Sequence, residues 1–178
     1  MILAETELEK RILNDPRIQE GFKYTKFTKG HPEGNVAIHV QQILDFINRQ
    51  NWQEYRRDLR IITLIHDSFK YVQAQGGKFH AVLAAEYYAA LCPDDKRISE
   101  AIHYHDSAWG FYNKLKRGEF DAKKFKKTFS KLDLSLLIHF NYADDCGREN
   151  ITPQWFEEKI RELNLPNVPE RVYETLQQ

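Results

Sequence analysis

Residues 61–70 read IITLIHDSFK, an apolar run that ends in an imidazole beside a carboxylate, His66-Asp67. A buried charge costs several kcal/mol unless it is paired or coordinates a metal, so a divalent cation is a natural partner for this dipeptide. By itself, such a dipeptide is more often the C-terminal cap of a helix followed by a surface carboxylate. Its meaning therefore depends on the polar residues that other segments bring to the same core.

Helical periodicity surrounds this stretch and recurs through most of the chain. A predicted helix from Trp52 to Val72 contains it, with Leu59, Ile62, Ile65, His66 and Phe69 turned inward. No alternating stretch flanked by hairpin turn signals predicts a strand. The sequence therefore predicts an all-α fold, a compact helical bundle.

The other predicted elements follow from the same periodicity and from helix-ending residues. A loop is expected over Thr25–Gly34, and a second loop near the chemistry over Asp106–Gly110. The remaining helices are expected at Ala4–Leu13, Asn35–Asn48, Phe79–Leu91, Arg97–His105, in short pieces within Phe111–Phe129, at Lys131–Cys146, and from Thr152-Pro153 onward.

Composition narrows the class of protein. The 178 residues contain no linker-like stretch, which predicts a single domain over residues 1–178. Lys plus Arg and Asp plus Glu number 26 each, so the basic footprint of an obligate nucleic-acid binder is missing. Cys92 and Cys146 lack CxxC spacing, which disfavours a disulfide framework and a thiolate zinc site. The sequence also shows neither a signal peptide nor the apolar run of about 20 residues that a membrane span needs. We expect a cytoplasmic protein without a membrane partner, and the composition leaves a homo-oligomer open.

Several polar residues fall on otherwise apolar helical faces. One core histidine is usually satisfied by a backbone carbonyl. Helical bundles, however, build metal sites from several such polar residues on separate helices. Nitrogen and oxygen ligands without thiolates suit Mn, Fe, Co, Ni, Zn or Mg. Open coordination positions would then imply catalysis by metal-activated water. The residues are His39, His66, Asp67, His80, His103, His105 and Asp144.

The order His39, His66-Asp67, Asp144 resembles that of the HD-domain metal-dependent phosphohydrolase superfamily, an all-helical fold. Lys70 fits the frequent HD-x-x-K form. His31-Pro32-Glu33-Gly34 and the Asp-x-x-Gly-Arg ending at residues 144–148 are similar to the HD domain of bacterial CCA-adding tRNA nucleotidyltransferases. The resemblance covers about Thr25 to Arg148. The nucleotidyltransferase core itself is missing, so tRNA specificity is not implied.

The resemblance implies roles for individual residues. His39, His66, Asp67 and Asp144 would bind a divalent metal, with Asp67 bridging if there are two ions; Asp145 is the alternative to Asp144. His80, His103 and His105 would either complete a two-metal site or contact the substrate phosphate. Lys70 and Arg148 would neutralise the charge of that phosphate. These further catalytic candidates are Lys70, His80, His103, His105 and Arg148.

The expected function is hydrolysis of a nucleotide, cyclic nucleotide or related phosphate ester. A di-iron oxygenase of the HD type and a non-catalytic, ligand-sensing HD module remain the alternatives. Trp109, Phe111 and Tyr112 follow His105 closely, and their spacing favours core packing over stacking on a base. The lysines between residues 114 and 127 favour a solvated basic face over a rim that attracts phosphate.

Overall fold

The structure is a computed structural model that describes residues 2–27, 33–149 and 151–176. Within these ranges the chain forms helices and turns and no β-strand, which confirms the all-α prediction. The helices are α1 Glu7–Leu13, α2 Pro16–Lys23, α3 Val36–Arg49, α4 Gln53–Ile65, α5 Lys70–Ala74, α6 His80–Leu91, α7 Lys96–Tyr104, α8 Ser107–Lys116, α9 Ala122–Phe129, α10 Leu134–Asp144 and α11 Ile151–Glu162, followed by a 3₁₀ turn at Tyr173–Thr175.

Short polar side chains fix where many helices begin. In six of them the residue before the first turn is Thr, Asn or Asp, and its side-chain oxygen accepts a backbone N–H of that turn. Each such cap stabilises the helix by about 1 kcal/mol. The capping residues are Thr6, Asp15, Asn35, Asp95, Asp121 and Asp133.

Helix α4 lies at the centre of the molecule, in contact with α1, α3, α7 and α10. Every residue from Asp58 to Phe69 is buried, which includes the apolar run and the His66-Asp67 dipeptide. Helices α3, α7 and α10 pack around it, and α6 pairs with α7. The polar end of α4 is therefore enclosed by other helices.

Two expectations about the elements are wrong, and one helix was missed. The predicted loop Asp106–Gly110 is the start of α8, and the predicted helix Trp52–Val72 ends at Ile65 and resumes at α5 after a turn. Helix α2 was not predicted. It lies against that turn, because a Cβ on Gly21 would fall 1.9 Å from the carbonyl oxygen of Ser68. The close packing of α2 on the turn is a tertiary contact, which local periodicity does not encode.

Two smaller points concern the start of α11 and the motif at residues 31–34. Helix α11 begins at Ile151, so Pro153 is its third residue and not its first. His31 and Pro32, which belong to the motif used for the family resemblance, lie outside the described residues.

No helix in the described ranges is long and apolar enough to cross a bilayer. Cys92 and Cys146 are free thiols, each half-buried.

Candidate metal centre

Ends of five helices converge around the His66-Asp67 dipeptide. Two groups of side chains there could each hold a metal ion, and within each group the ligand atoms lie within 4.8 Å of one another. The first, which we call the His39 group, consists of His39, His66 and Asp144. The second, the His80 group, consists of Asp67, His80 and His105.

The His39 group joins the first turn of α3 to the C-terminal ends of α4 and α10. Nε2 of His39 lies 2.8 Å from Oδ1 of Asp144, and Nε2 of His66 lies 3.4 Å from the same oxygen. Both imidazoles are buried, whereas the Asp144 side chain is 23% exposed. The carboxylate of Asp144 therefore connects the buried imidazoles to solvent.

The His80 group joins the start of α6 to the end of α7. Oδ1 of Asp67 lies 3.3 Å from Nε2 of His80 and 3.7 Å from Nε2 of His105. The two Nε2 atoms are themselves 3.3 Å apart. Asp106 adds a second carboxylate, with Oδ2 3.3 Å from Nε2 of His80 and 3.6 Å from Nε2 of His105.

Asp67 connects the two groups. While its Oδ1 faces the His80 group, its Oδ2 lies 3.5 Å from Nε2 of His66 and 4.0 Å from Nε2 of His39. A carboxylate with one oxygen toward each group has the arrangement of a bridging ligand. The two groups therefore form one continuous cluster.

Backbone carbonyls fix the ring orientation of two histidines. Nδ1 of His66 donates to the carbonyl of Thr63 at 3.0 Å, and Nδ1 of His105 donates to the carbonyl of Ile102 at 2.7 Å. Each of these histidines immediately follows the last residue of its helix, so its ring can reach back to a carbonyl three residues earlier. The proton on Nδ1 leaves the Nε2 lone pair free to face the cluster.

Side chains do the same for the other two histidines. Nδ1 of His80 donates at 2.7 Å to Oε1 of Gln73, an oxygen that also accepts the backbone N–H of His80. Nδ1 of His39 lies 3.3 Å from Oε1 of Glu33. Histidines that bind metals in proteins are commonly held by such a bond from the second ring nitrogen. All four Nε2 atoms thus point to the carboxylates.

The residues present fit a divalent cation. Nε2 of His66 and Oδ1 of Asp67 are buried, and neither makes a hydrogen bond within the described part of the chain. A buried polar atom without a partner is costly, and a nitrogen lone pair beside a carboxylate oxygen is repulsive unless a positive charge lies between them. Nitrogen and oxygen donors of this kind suit a first-row transition metal.

The electrostatics of the carboxylates also favour a cation. Burial disfavours the charged forms of Asp67 and Asp144. The imidazoles that face the two carboxyls outweigh this effect, and at Asp67 the Lys70 ammonium acts with them. The pKa of both carboxyls is therefore held well below the usual range. The C-terminal ends of α4, α7 and α10 add partial negative charge at the same place. The cluster is therefore strongly attractive to positive charge.

The pKa values of two histidines reflect this attraction. Burial by itself would lower the pKa of both. For His39 the contact with Asp144 outweighs burial and raises the pKa. For His105 the nearby Asp106 and Asp67 carboxylates raise the pKa to about 9. Protons on the imidazoles and a divalent cation thus compete for the same place.

The two predicted cations lie beside the cluster in different ways. Nζ of Lys70 is 2.5 Å from Oδ2 of Asp67, and this contact outweighs the effect of burial and raises the pKa of Lys70. Arg148 donates to the backbone carbonyl of Asp144 at 3.2 Å and to Oδ1 of Asp145 at 3.4 Å. Asp144 therefore lies in the His39 group, while Asp145 faces Arg148.

His103, which the sequence places among the catalytic candidates, is not brought into the cluster. It is exposed on α7, and its ring lies against Tyr104 with the centroids 4.6 Å apart. Two residues along a helix correspond to a rotation of about 200°, so His103 and His105 leave α7 on opposite sides. The structure thus separates two residues that the sequence treated together.

The aromatic residues of α8 divide in a similar way. Phe111 is buried and Tyr112 packs near Trp155, at a centroid distance of 5.3 Å, which agrees with the expected core packing. Trp109 is 63% exposed, so the expectation of a core position was wrong for this residue. Its helix was predicted as a loop, and a loop residue has no face that could be assigned.

Three residues of the site were missed. Asp106 had a usable signal, because His105-Asp106 repeats the His66-Asp67 dipeptide at the end of another helix. Glu33 was noted within a motif but not given a role, and Gln73 is a polar residue without any distinguishing spacing. Both act through hydrogen-bonding distance to a histidine, which depends on the tertiary fold.

Comparison with known proteins adds no relative. The chain matches no protein-family model, no curated protein and no solved structure. Buried histidine and aspartate side chains that could hold a metal ion are what the structure itself establishes about its chemistry.

Proposed function

We propose that this protein is a metal-dependent phosphohydrolase of the HD type with two divalent ions. The observation that supports this most is the shared orientation of four imidazoles, each held at Nδ1 and directed by Nε2 toward the carboxylates. The His39 group with Asp67 would hold one ion, and the His80 group with Asp106 would hold the other, so that Asp67 bridges them.

The chain's own residues prepare a place for a phosphate ester. A bound divalent ion supplies a water of lowered pKa and a positive charge for the phosphoryl oxygens. Lys70, held against Asp67, adds a fixed positive charge at the same place, where it offsets negative charge that develops in the transition state.

The partly exposed members of the cluster indicate where substrate enters. The four imidazoles are at most 4% exposed, whereas the side chains of Asp106, Asp144 and Lys70 are 40%, 23% and 22% exposed. These three residues form the solvent-facing edge. A phosphate ester that approaches from this side meets the Lys70 ammonium and leaves its organic group toward solvent.

Two exposed aromatic residues adjoin that edge and support a substrate with an aromatic group, such as a nucleotide. Phe79 is 47% exposed, and its ring lies 4.7 Å from that of His80 between centroids. Trp109 follows Asp106 by one turn of α8. Exposed aromatic rings are suited to stacking on a base.

Replacing Trp109 with alanine is expected to raise KM about 5- to 150-fold for a nucleoside phosphate, because stacking on a base contributes about 1–3 kcal/mol. The same change should leave KM for a small alkyl phosphate within about twofold. Leu115→Ala removes the other exposed apolar residue of α8 and is the matched control. Equal effects of Trp109→Ala on both substrates would exclude base stacking at this residue.

His105, at the end of α7, and His103, within it, provide a test of whether there are two ions. His105→Gln should reduce the metal content from about two ions per chain to about one and lower kcat by about 100-fold or more, because loss of a ligand should cost at least as much as the 10- to 100-fold that follows loss of a residue supporting a ligand. His103→Gln, two residues away, should change neither. Elemental analysis of both variants and steady-state kinetics provide the measurement, and an unchanged metal content in His105→Gln would refute the second site.

The proposed function is tested by metal analysis of protein purified without chelator, combined with phosphomonoesters and cyclic phosphodiesters as substrates. Phosphate release that is lost with chelator and restored by one of the candidate metals is the expected result. Iron content with oxygen consumption on an organic substrate would favour the di-iron oxygenase. Tightly held metal without turnover of any of these substrates would favour the ligand-sensing module.

A further inference from the structure

The overall charge balance conceals a strongly basic region at one place in the chain. Residues 114–131, which we call the basic segment, contain eight of the 26 basic residues and two of the 26 acidic ones. The rest of the chain is correspondingly acidic. Neutrality of the whole protein therefore says little about how this surface interacts with charged partners.

Helix α9 carries the densest part of the basic segment. Phe125 and Phe129 are fully buried, and they fix one side of the helix against the core. The four lysines of α9 are all exposed and fall on the opposite side, on an arc of about 160° at 100° per residue. They are Lys123, Lys124, Lys126 and Lys127.

Nothing within the described ranges neutralises these four lysines, since none of them forms an ion pair there. The two acidic residues of the basic segment have other contacts. Glu119 pairs with Arg117 at 3.0 Å, and the side chain of Asp121 accepts the backbone N–H at position 124 as the helix cap. The positive charge of α9 is thus available to a partner.

Part of this arrangement works against the stability of α9. Lys123 and Lys124 lie in the first turn, where the helix dipole disfavours cations, whereas Lys126 and Lys127 lie in the last turn, where it favours them. Lys127 lies four residues after Lys123, a spacing at which like charges repel. Local features that oppose stability without a compensating contact are expected at functional sites.

We propose that α9 is a docking surface for the phosphate backbone of a nucleic acid, independently of the function proposed for the metal centre. Lysine is a point charge suited to phosphate, and electrostatic contact alone supports non-specific nucleic-acid binding. Stable attachment to a membrane requires an apolar anchor in addition to basic residues. The large apolar side chains of α9 are Phe125 and Phe129, and both are buried.

The test is fluorescence anisotropy with a labelled single-stranded oligonucleotide of mixed sequence, measured between 50 and 200 mM salt. We expect a Kd in the range of about 10⁻⁴–10⁻⁶ M that weakens with salt. The variant with Lys123, Lys124, Lys126 and Lys127 all changed to Gln should bind at least about tenfold more weakly. Its slope of log K against log salt should fall by about three, at about 0.7 per lost phosphate contact.

Two further variants test whether binding depends on the position of the lysines and on their positive charge. Changing Lys10, Lys23, Lys78 and Lys96 to Gln removes the same charge from other exposed positions and should leave the affinity within about twofold. Changing the four lysines of α9 to Arg should retain binding. Thermal unfolding of the α9 Gln variant should occur at the same temperature as wild type or higher.

Three results would overturn the proposal. The first is equal affinity of wild type and the α9 Gln variant. The second is an equal loss in the control variant, which would indicate general charge. The third is binding to vesicles of anionic lipid without binding to the oligonucleotide.

Discussion

Asp67→Asn is expected to remove most of the bound metal and to lower phosphate-ester hydrolysis by about 1,000-fold or more. Asp67 is the residue that faces both groups, with Oδ1 toward the His80 group and Oδ2 toward the His39 group. An amide has nearly the same shape but lacks the negative charge. A loss of several kcal/mol of transition-state stabilisation corresponds to a factor of this size.

The control for this variant is Asp145→Asn, which removes a carboxylate close to the site but outside the His39 group. Asp145 faces Arg148 and belongs to neither the His39 group nor the His80 group. Its replacement should keep the metal content and reduce activity by no more than about tenfold, since it changes a contact of Arg148, which in turn donates to the backbone carbonyl of Asp144. Normal hydrolysis by Asp67→Asn, or loss of metal in Asp145→Asn, would refute the assignment of the site.

Much of the cluster could be predicted from the sequence because its members lie on buried helical faces. His39 shares a stripe with Val40 and Ile43, and His66 ends an apolar run; both features are visible in the order of residues. Periodicity shows which residues face inward. Which inward-facing residues meet is decided by the packing of α3, α4, α6, α7 and α10, so the division into two groups emerges only in the structure.

The residues that support the histidines could not be predicted for a different reason. A backbone carbonyl such as that of Ile102 has no sequence signal, and Gln73 reaches His80 because a short turn connects α5 to α6. Asp106 was assigned to a loop, where side-chain direction is undefined. The packing of α2 on the turn after α4 likewise rests on the approach of Gly21 to Ser68, a contact between distant parts of the chain.

The same limit applies to a buried ion pair between α1 and α4, which the sequence did not indicate. Glu9 is fully buried and Arg60 is 3% exposed. Nε of Arg60 donates to Oε1 of Glu9 at 3.0 Å, and a terminal nitrogen donates to Oε2 at 2.9 Å. Arg60 also donates to the carbonyl of Leu3, and Glu9 accepts the backbone N–H of Glu5. The pair thereby ties the N-terminal segment to the central helix.

Arg60→Met is expected to lower the free energy of unfolding by about 3–5 kcal/mol, because it leaves the buried Glu9 carboxylate without its cation. This is a large fraction of the roughly 5–15 kcal/mol that stabilises a typical domain. The double variant Glu9→Met/Arg60→Met should recover most of the loss, since two apolar side chains can replace a buried pair at little net cost. Urea denaturation of the three proteins provides the measurement.

Arg56→Met is the matched control, because Arg56 lies one turn earlier on α4 and pairs with the partly exposed Glu5, which also lies 3.1 Å from Arg60 and so keeps one cation. An exposed pair contributes at most about 1 kcal/mol, so this variant should unfold close to wild type. If the single and double variants at positions 9 and 60 lose the same stability, the loss comes from packing of the arginine stem and not from an uncompensated charge. A loss in Arg56→Met as large as that in Arg60→Met would contradict the distinction between buried and exposed pairs on this helix.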